Sequence, residues 1–228
     1  MSTSGVDPVW EQEFYSQGHH YNRYPYDQIV SFVFRWRPRD RPISEVRVLE
    51  TGCGAGNNLW FAAREGFQVA GIDGSPSAIE YAKKRFADEK LSGDLRVGSF
   101  SELPWEDNSF DLVFDRGALV CVGHEVQRQA IAEARRVLKP GGIFLYNGFS
   151  DRHTSGHSGT LLPDGRVTDM QDGTLAHTGS CCFTSRREVD SFFATGWHIE
   201  RRELMELEDL TSLRVTRHSE WRVFARKV

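Results

Sequence analysis

The hydrophobic positions of this chain fall into short apolar runs separated by segments with helical spacing. Runs of this kind are typical of strands that are buried on both faces. The predicted strands are 47–50, 67–73, 95–98, 110–115, 143–147, 197–207 and 219–228. The predicted helices are 8–16, 26–36, 57–65, a helix that begins at 75, 124–138 and 185–195. Strands that alternate with helices predict an α/β fold, with a parallel sheet covered by helices on both faces.

Residues 150–182 interrupt this alternation. The stretch is rich in glycine, serine, threonine and histidine and has few apolar residues. A loop of this length inside a compact domain is usually functional or disordered. We therefore expect residues 150–182 to form a substrate loop.

Composition narrows the possible classes of protein. The chain has 228 residues, 39% of them hydrophobic, and a net charge of −4 without a long basic run. This charge disfavours nucleic acid as the main partner, and no apolar stretch is long enough to span a membrane. The N-terminus lacks the features of a signal peptide, and four cysteines without metal-ligand spacing are expected to be free thiols. These observations predict a cytoplasmic protein.

The segment Val48–Asn58 carries the most specific pattern in the chain. A predicted strand leads into Gly52, Gly54 and Gly56, and Glu50 precedes the first of these glycines. Dinucleotide sites use a wider G-x-G-x-x-G spacing to approach a pyrophosphate, whereas an acid beside the loop favours a cationic ligand group. Asp73 ends the next predicted strand, and a carboxylate can accept two hydrogen bonds from a cis-diol. The alternative is a tight turn that merely requires glycine.

This segment resembles motif I of the class I S-adenosylmethionine-dependent methyltransferases. Residues 103–113 and the Pro-Gly-Gly turn at 140–142 are similar to two further stretches of that family, and the close resemblance covers 46–147. It implies a doubly wound, seven-stranded mixed sheet in a single domain, with the last strand inserted antiparallel. It also implies S-adenosyl-L-methionine as the cofactor.

The resemblance assigns roles to individual residues. The glycine loop lies against the amino-acid part of the cofactor, Asp73 holds the ribose hydroxyls, and Ser99 and Phe100 flank adenine where the family commonly has an acid. The segment that begins at Asp115 is similar to a DRGAL stretch of thiopurine and tellurite methyltransferases, which places Asp115 near the sulfonium. A strand-end turn with a solvated Asp-Arg pair is the alternative. The implied cofactor-binding residues are Arg23, Glu50, Gly52, Cys53, Gly54, Asp73, Gly74, Ser99, Phe100 and Asp115.

The resemblance also implies that residues 1–45 form an N-terminal helical lid over the cofactor and that 46–228 form the methyltransferase core. Within the lid, Arg23 or a neighbouring tyrosine is expected to meet the cofactor carboxylate. Surface packing of the aromatic side chains is the alternative.

His153 follows the fifth predicted strand and is the first candidate for a catalytic base, because histidine titrates in the useful range. A polar histidine in a loop is the alternative. His153, His157 and His177 lack a metal-ligand pattern, so we expect no metal, and adjacent His19 and His20 are expected to be solvated.

Together these patterns predict an enzyme that transfers a methyl group to an oxygen or nitrogen atom of a small molecule. The expected partner is that acceptor, with no nucleic acid and no membrane. A peptide or protein acceptor, or a cofactor-binding module without chemistry, remain open. A NAD-dependent dehydrogenase shares the fold, but the glycine spacing and the Pro-Gly-Gly turn argue against it.

Overall fold

The computed structural model describes residues 8–19, 21–211 and 215–228, so predictions for residues 1–7 and for His20 lie outside the described residues. The helices are α1 (Asp27–Trp36), α2 (Asn57–Arg64), α3 (Pro76–Asp88), α4 (His124–Val137) and α5 (Arg186–Phe192). The strands are β1 (Arg47–Thr51), β2 (Gln68–Asp73), β3 (Asp94–Val97), β4 (Phe110–Asp115), β5 (Leu138–Ser150), β6 (Thr160–Leu161), β7 (Arg166–Thr168), β8 (Cys181–Thr184), β9 (Trp197–Asp209) and β10 (Thr216–Lys227). Among the described residues, no helix is both long and apolar enough to cross a membrane.

Seven strands form the central part of a ten-stranded sheet, in the order β3-β2-β1-β4-β5-β10-β9. β3, β2, β1, β4 and β5 pair in parallel, whereas β10 is antiparallel to both β5 and β9. The seven-stranded mixed sheet with an inserted antiparallel last strand is thereby confirmed.

Both faces of the sheet are buried, and successive residues of its central strands point to opposite faces. Leu49 and Val113 belong to the apolar cluster that includes α4 and α5, whereas Val48 and Leu112 belong to the cluster that includes α1, α2 and α3. This arrangement explains why the central strands are continuous apolar runs in the sequence.

Three predicted elements differ from the structure. The stretch 150–182, expected to be an irregular loop, contains a 3₁₀ turn at Thr154–His157 and the antiparallel strands β6, β7 and β8. β8 pairs in parallel with the end of β5 and thereby extends the sheet. The first helix is a short π-helix, Trp10–Phe14, followed by a 3₁₀ turn rather than a regular α-helix. α4 already ends at Val137. The Pro-Gly-Gly turn therefore lies inside β5, at the point where the register with β4 shifts.

Candidate active site

A cavity lies at the carboxyl edge of the sheet, where open parallel sheets usually bind ligands. The loops after β1, β2 and β4 form its base, and residues from the N-terminal segment form its opposite wall. Its lining includes Trp10, Glu11, Tyr15, Asn22, Tyr26, Glu50, Gly52, Cys53, Gly54, Asn58, Asp73, Gly74, Phe100, Arg116, Ala118, Cys121, Val122 and Phe149.

The loop after β1 depends on its glycines. Gly52 and Gly54 have φ angles of 66° and 49°, in the left-handed region that disfavours side chains. A Cβ atom on Gly52 would lie 2.0 Å from the Cβ of Ala118, and one on Gly54 would lie 2.4 Å from the hydroxyl of Tyr15. The backbone of the loop therefore packs closely against Ala118 and against Tyr15 of the N-terminal segment, and it also lines the cavity.

Asp73 stands at the end of β2 and connects two loops. Its Oδ2 accepts a hydrogen bond from the Gly54 backbone N–H at 2.8 Å, and its Oδ1 accepts one from the Ser75 N–H at 2.9 Å. Burial raises the pKa of Asp73, although these two backbone donors oppose the shift. Each carboxylate oxygen has a second lone pair that can accept a hydroxyl of a ligand.

Glu50 is the most deeply buried acid of the cavity lining and is 2% exposed. Its Oε1 accepts a hydrogen bond from the Asn58 amide at 2.7 Å, whereas its Oε2 is buried and has no partner. Burial raises the pKa of Glu50 well above its ordinary value. A buried carboxylate oxygen without a partner is costly, so this site favours a cationic donor group in the cavity.

Arg116 is the only cationic side chain among the described residues that line the cavity. Its guanidinium carbon lies 4.2 Å from the centroid of the Tyr26 ring, in a cation–π arrangement. The predictions from sequence did not identify this residue as part of the site, although it directly follows Asp115 in the DRGAL stretch. Its neighbours in space come from distant parts of the chain, and no local pattern indicated them.

Seven of the predicted cofactor-binding residues meet in this cavity: Glu50, Gly52, Cys53, Gly54, Asp73, Gly74 and Phe100. Arg23, Ser99 and Asp115 do not line it. Arg23 is exposed beside the Tyr24 ring, and the Ser99 hydroxyl is hydrogen-bonded to that of Ser101.

Asp115 is fully buried and holds the turn that follows β4. Its Oδ1 accepts hydrogen bonds from the backbone N–H groups of Ala118 and Leu119, at 3.0 Å and 2.9 Å. Burial raises the pKa of Asp115 to about 7, although these backbone donors oppose the shift. Asp115 thus holds a strand-end turn, but it is buried rather than part of a solvated Asp-Arg pair, and Arg116 has its ion pair with Glu220.

His153, the predicted base, lies outside the cavity lining and is completely buried. Its Nδ1 accepts a hydrogen bond from the Ser155 N–H, which assigns the proton of the neutral ring to Nε2. The Nε2 atom faces His218 and Thr174, each at 3.2 Å. Burial and the neighbouring His218 lower the pKa of His153 to about 4. His153 is thus separated from the cavity by the Phe149 ring, which lines the cavity and packs against the imidazole, and its catalytic role stays a prediction.

In the described parts of the chain, no group of three histidine, cysteine or acidic side chains could hold a metal ion. All four cysteines are buried and free.

Comparison with known proteins identifies the domain that carries this cavity. Residues 48–142 match the model of a family described as a methyltransferase domain. They are a class I S-adenosylmethionine-dependent methyltransferase domain. The resemblance to class I methyltransferases is thereby confirmed, whereas the similarity of the DRGAL stretch stays a prediction. S-adenosylmethionine is the cofactor of this family.

Two curated relatives illustrate the similarity of the methyltransferase domain. The phthiotriol/phenolphthiotriol dimycocerosates methyltransferase of Mycobacterium tuberculosis is 37% identical over 103 residues, which are 44% of this chain and 36% of that protein. The norajmaline N-methyltransferase of Rauvolfia serpentina is 32% identical over 123 residues, 51% of this chain and 40% of that protein. The chain thus spans less than half the length of these relatives.

The fold is shared over a longer part of the chain. A SAM-dependent methyltransferase structure from Methanosarcina mazei superimposes with a TM-score of 0.69 at 21% identity, and covers 90% of this chain and 99% of that chain. The methyltransferase fold therefore extends well beyond the matched domain.

The cavity fits S-adenosylmethionine on its own chemistry. The unpartnered Glu50 oxygen suits an ammonium group, and Asp73 suits a ribose diol. Gly52 and Gly54 line the same cavity, so backbone rather than side chains borders it there. When bound, the cofactor supplies an electrophilic methyl carbon on its sulfonium.

Proposed function

We propose that this chain transfers the methyl group of S-adenosylmethionine to an oxygen or nitrogen atom of a small molecule. The observation that carries the proposal is the buried, unpartnered Oε2 of Glu50 beside the glycine loop, in the same cavity as Asp73. Glu50 would bind the amino group of the cofactor and Asp73 its ribose, while Phe100 would pack near adenine.

The remaining wall of the cavity supports a small acceptor. Cys121, Val122 and Phe149 form an apolar part of the lining, and Trp10 of the N-terminal segment packs against the cluster that contains Cys121 and Phe149. Catalysis would rest mainly on alignment of the acceptor atom with the methyl carbon. The acceptors in the names of the phthiotriol/phenolphthiotriol dimycocerosates methyltransferase and the norajmaline N-methyltransferase belong to those proteins, and for this chain we propose only that the acceptor is a small molecule.

The proposed substrate loop contributes from behind this wall. No residue of 150–182 lines the cavity, but Val167, Met170 and Cys181 pack in one apolar cluster with Cys121 and Phe149. We propose that the segment shapes the acceptor surface through these contacts. The segment 8–17, which belongs to the predicted lid of residues 1–45, would close the cavity.

The four buried, free cysteines agree with a cytoplasmic location.

A transfer assay with a tritiated methyl group tests this proposal. The chain is incubated with labelled S-adenosylmethionine and a fractionated extract that contains both metabolites and proteins. Label in the small-molecule fraction is expected, and it should be lost in Asp73→Ala. Label only in protein would replace the acceptor class, whereas binding of the cofactor without any transfer would favour a binding module.

A further inference from the structure

The acidic side chains that line the cavity suit the cationic groups of the methyl donor, but the one guanidinium, that of Arg116, has no role assigned so far. Acidic side chains of Glu11, Glu50 and Asp73 line the cavity, together with the single guanidinium of Arg116. S-adenosylmethionine carries a sulfonium and an ammonium group, which suit the acids, and one carboxylate. The predicted partner of that carboxylate, Arg23, lies outside the cavity lining.

Arg116 has unused capacity to bind an anion. Its Nε is buried without a partner, and the side chain is 21% exposed. Its ion-pair neighbour Glu220 places Oε2 3.9 Å from Nη2, which exceeds hydrogen-bond distance. Arg222 lies 2.7 Å from the other oxygen, Oε1, whereas among the described residues Oε2 has only His218, at 3.6 Å, besides Arg116. The Arg116–Glu220 contact therefore orients the guanidinium without occupying its donors.

One asparagine places Arg116 and Glu50 on the same framework. The Asn58 amide donates to Glu50 Oε1, and its Oδ1 accepts the backbone N–H of Tyr26 at 3.0 Å. The ring of Tyr26 in turn supports the guanidinium of Arg116. A carboxylate and a guanidinium are thus both fixed relative to the same two residues and both face the cavity.

We propose that Arg116 binds the carboxylate of the methyl donor, so that Glu50 and Arg116 together form a receptor for its amino-acid end. This inference rests on the proposed function, because it takes S-adenosylmethionine as the ligand. A guanidinium matches a carboxylate in planar geometry and donates two parallel hydrogen bonds. An anionic group of the methyl acceptor is the competing ligand for Arg116.

Calorimetric titration with two ligands separates these possibilities. S-adenosylmethionine and its decarboxylated form share the sulfonium, the amine and the ribose, and they differ in the carboxylate. Arg116→Gln should weaken binding of S-adenosylmethionine about ten- to hundredfold, the usual effect of losing a charged hydrogen-bond partner. The same variant should leave the affinity for the decarboxylated form within about twofold.

The control is Arg64→Gln, which removes a guanidinium that lies over the Trp60 ring and outside the cavity lining. It should change neither affinity. If Arg116→Gln does not fold, as judged by thermal unfolding, Arg116→Lys keeps the charge near Glu220, and its loss should again be confined to S-adenosylmethionine.

Equal losses for both ligands would overturn the assignment of Arg116. No loss for either ligand would also overturn it, and would point to an anion on the acceptor as the ligand of Arg116. Failure of the unmodified protein to bind either ligand would reject the proposed function itself, so the two failures remain distinct.

Discussion

At the residue scale, the site depends on a few carboxylates whose surroundings differ. Asp73 has two backbone donors and an open side toward the cavity, Glu50 has one donor and one unpartnered oxygen, and Asp115 faces the inside of a turn. The same chemical group is thereby suited to a diol, to a cation and to a structural role, respectively.

Replacing Asp73 with asparagine should weaken binding of S-adenosylmethionine about ten- to hundredfold. The asparagine amide keeps one acceptor oxygen, but its NH₂ group would face either the Gly54 N–H or the Ser75 N–H, which are both donors. The substitution also removes the negative charge near the ribose. Calorimetry measures the affinity, and Asp88→Asn on the exposed side of α3 is the control. Equal affinities of Asp73→Asn and the control would contradict the ribose assignment.

Asp115→Asn should stabilise the unliganded protein in a pH-dependent way. Burial raises the pKa of Asp115 to about 7 in the folded chain, from an ordinary 3.8. Below pH 3.8 the Asp115 carboxyl is neutral in both the folded and the unfolded chain, so the favourable contribution of the neutral form to stability is fully present. That contribution is lost as the pH rises through about 7. The gain in free energy of unfolding for Asp115→Asn should therefore grow between pH 4 and 7 and then level off.

Urea unfolding of both proteins across this pH range measures the difference. Asparagine keeps an oxygen for the N–H groups of Ala118 and Leu119, so the turn is preserved. A gain that is constant with pH, or a loss at pH 8, would show that ionised Asp115 is not destabilising.

At the element scale, the N-terminal segment 8–17 is connected to the cofactor cavity by one acid. Glu11 accepts hydrogen bonds from the hydroxyls of Ser75 and Ser77, at 2.5 Å and 2.7 Å, at the start of α3. These donors, Ser75 first, lower the pKa of Glu11. The Tyr15 hydroxyl approaches Gly54 from the same segment. The segment thus contacts both loops that would surround the cofactor.

Glu11→Gln should accelerate release of bound cofactor. Loss of roughly 1 kcal/mol of charge-assisted hydrogen bonding corresponds to about fivefold faster dissociation if the segment covers the ligand. Stopped-flow displacement measures the rate, and Glu13→Gln, an exposed acid in the same helical turn, is the control. Identical rates for the two variants would contradict a closing role for the segment.

The segment 150–182 is held to β10 by the buried pair of His153 and His218. His153→Gln should lower the free energy of unfolding by about 1–3 kcal/mol, because it leaves buried partners such as the Ser155 N–H without their acceptor. Cofactor affinity should stay unchanged, since His153 does not line the cavity. His157→Gln, exposed on the same segment, is the matched control. An unchanged stability with weaker cofactor binding would restore His153 to the site.

The elements that sequence predicts well are those whose signal is local. The central strands are continuous apolar runs because both of their faces are buried, and the glycine loop requires its residues through backbone geometry. β6 to β8 have two to four residues each, and both residues of β6 are exposed, so no hydrophobic pattern marks them. Arg116 joins the site through Tyr26 and Glu220, and such distant contacts leave no local signal.

At the scale of the whole molecule, sequence similarity to the family covers less of the chain than the shared fold does. The family match ends at residue 142, whereas the shared fold with the Methanosarcina mazei structure covers 90% of the chain. The cavity combines both parts, because the glycine loop and Asp73 come from the matched domain and the opposite wall comes from residues before it. The proposed cofactor-binding residues Glu50 and Asp73 lie within the matched domain, whereas the proposed acceptor surface belongs to both parts, because Cys121 and Val122 lie within the match and Phe149 lies beyond it.

The most direct test of the whole account is a crystal structure of the protein with S-adenosylhomocysteine, the demethylated cofactor. The account predicts ribose hydroxyls on Asp73, the amino group on Glu50 and the carboxylate on Arg116, with the sulfur facing Cys121 and Phe149. Electron density for the ligand outside this cavity, or an amino-acid end that points away from Glu50 and Arg116, would contradict it.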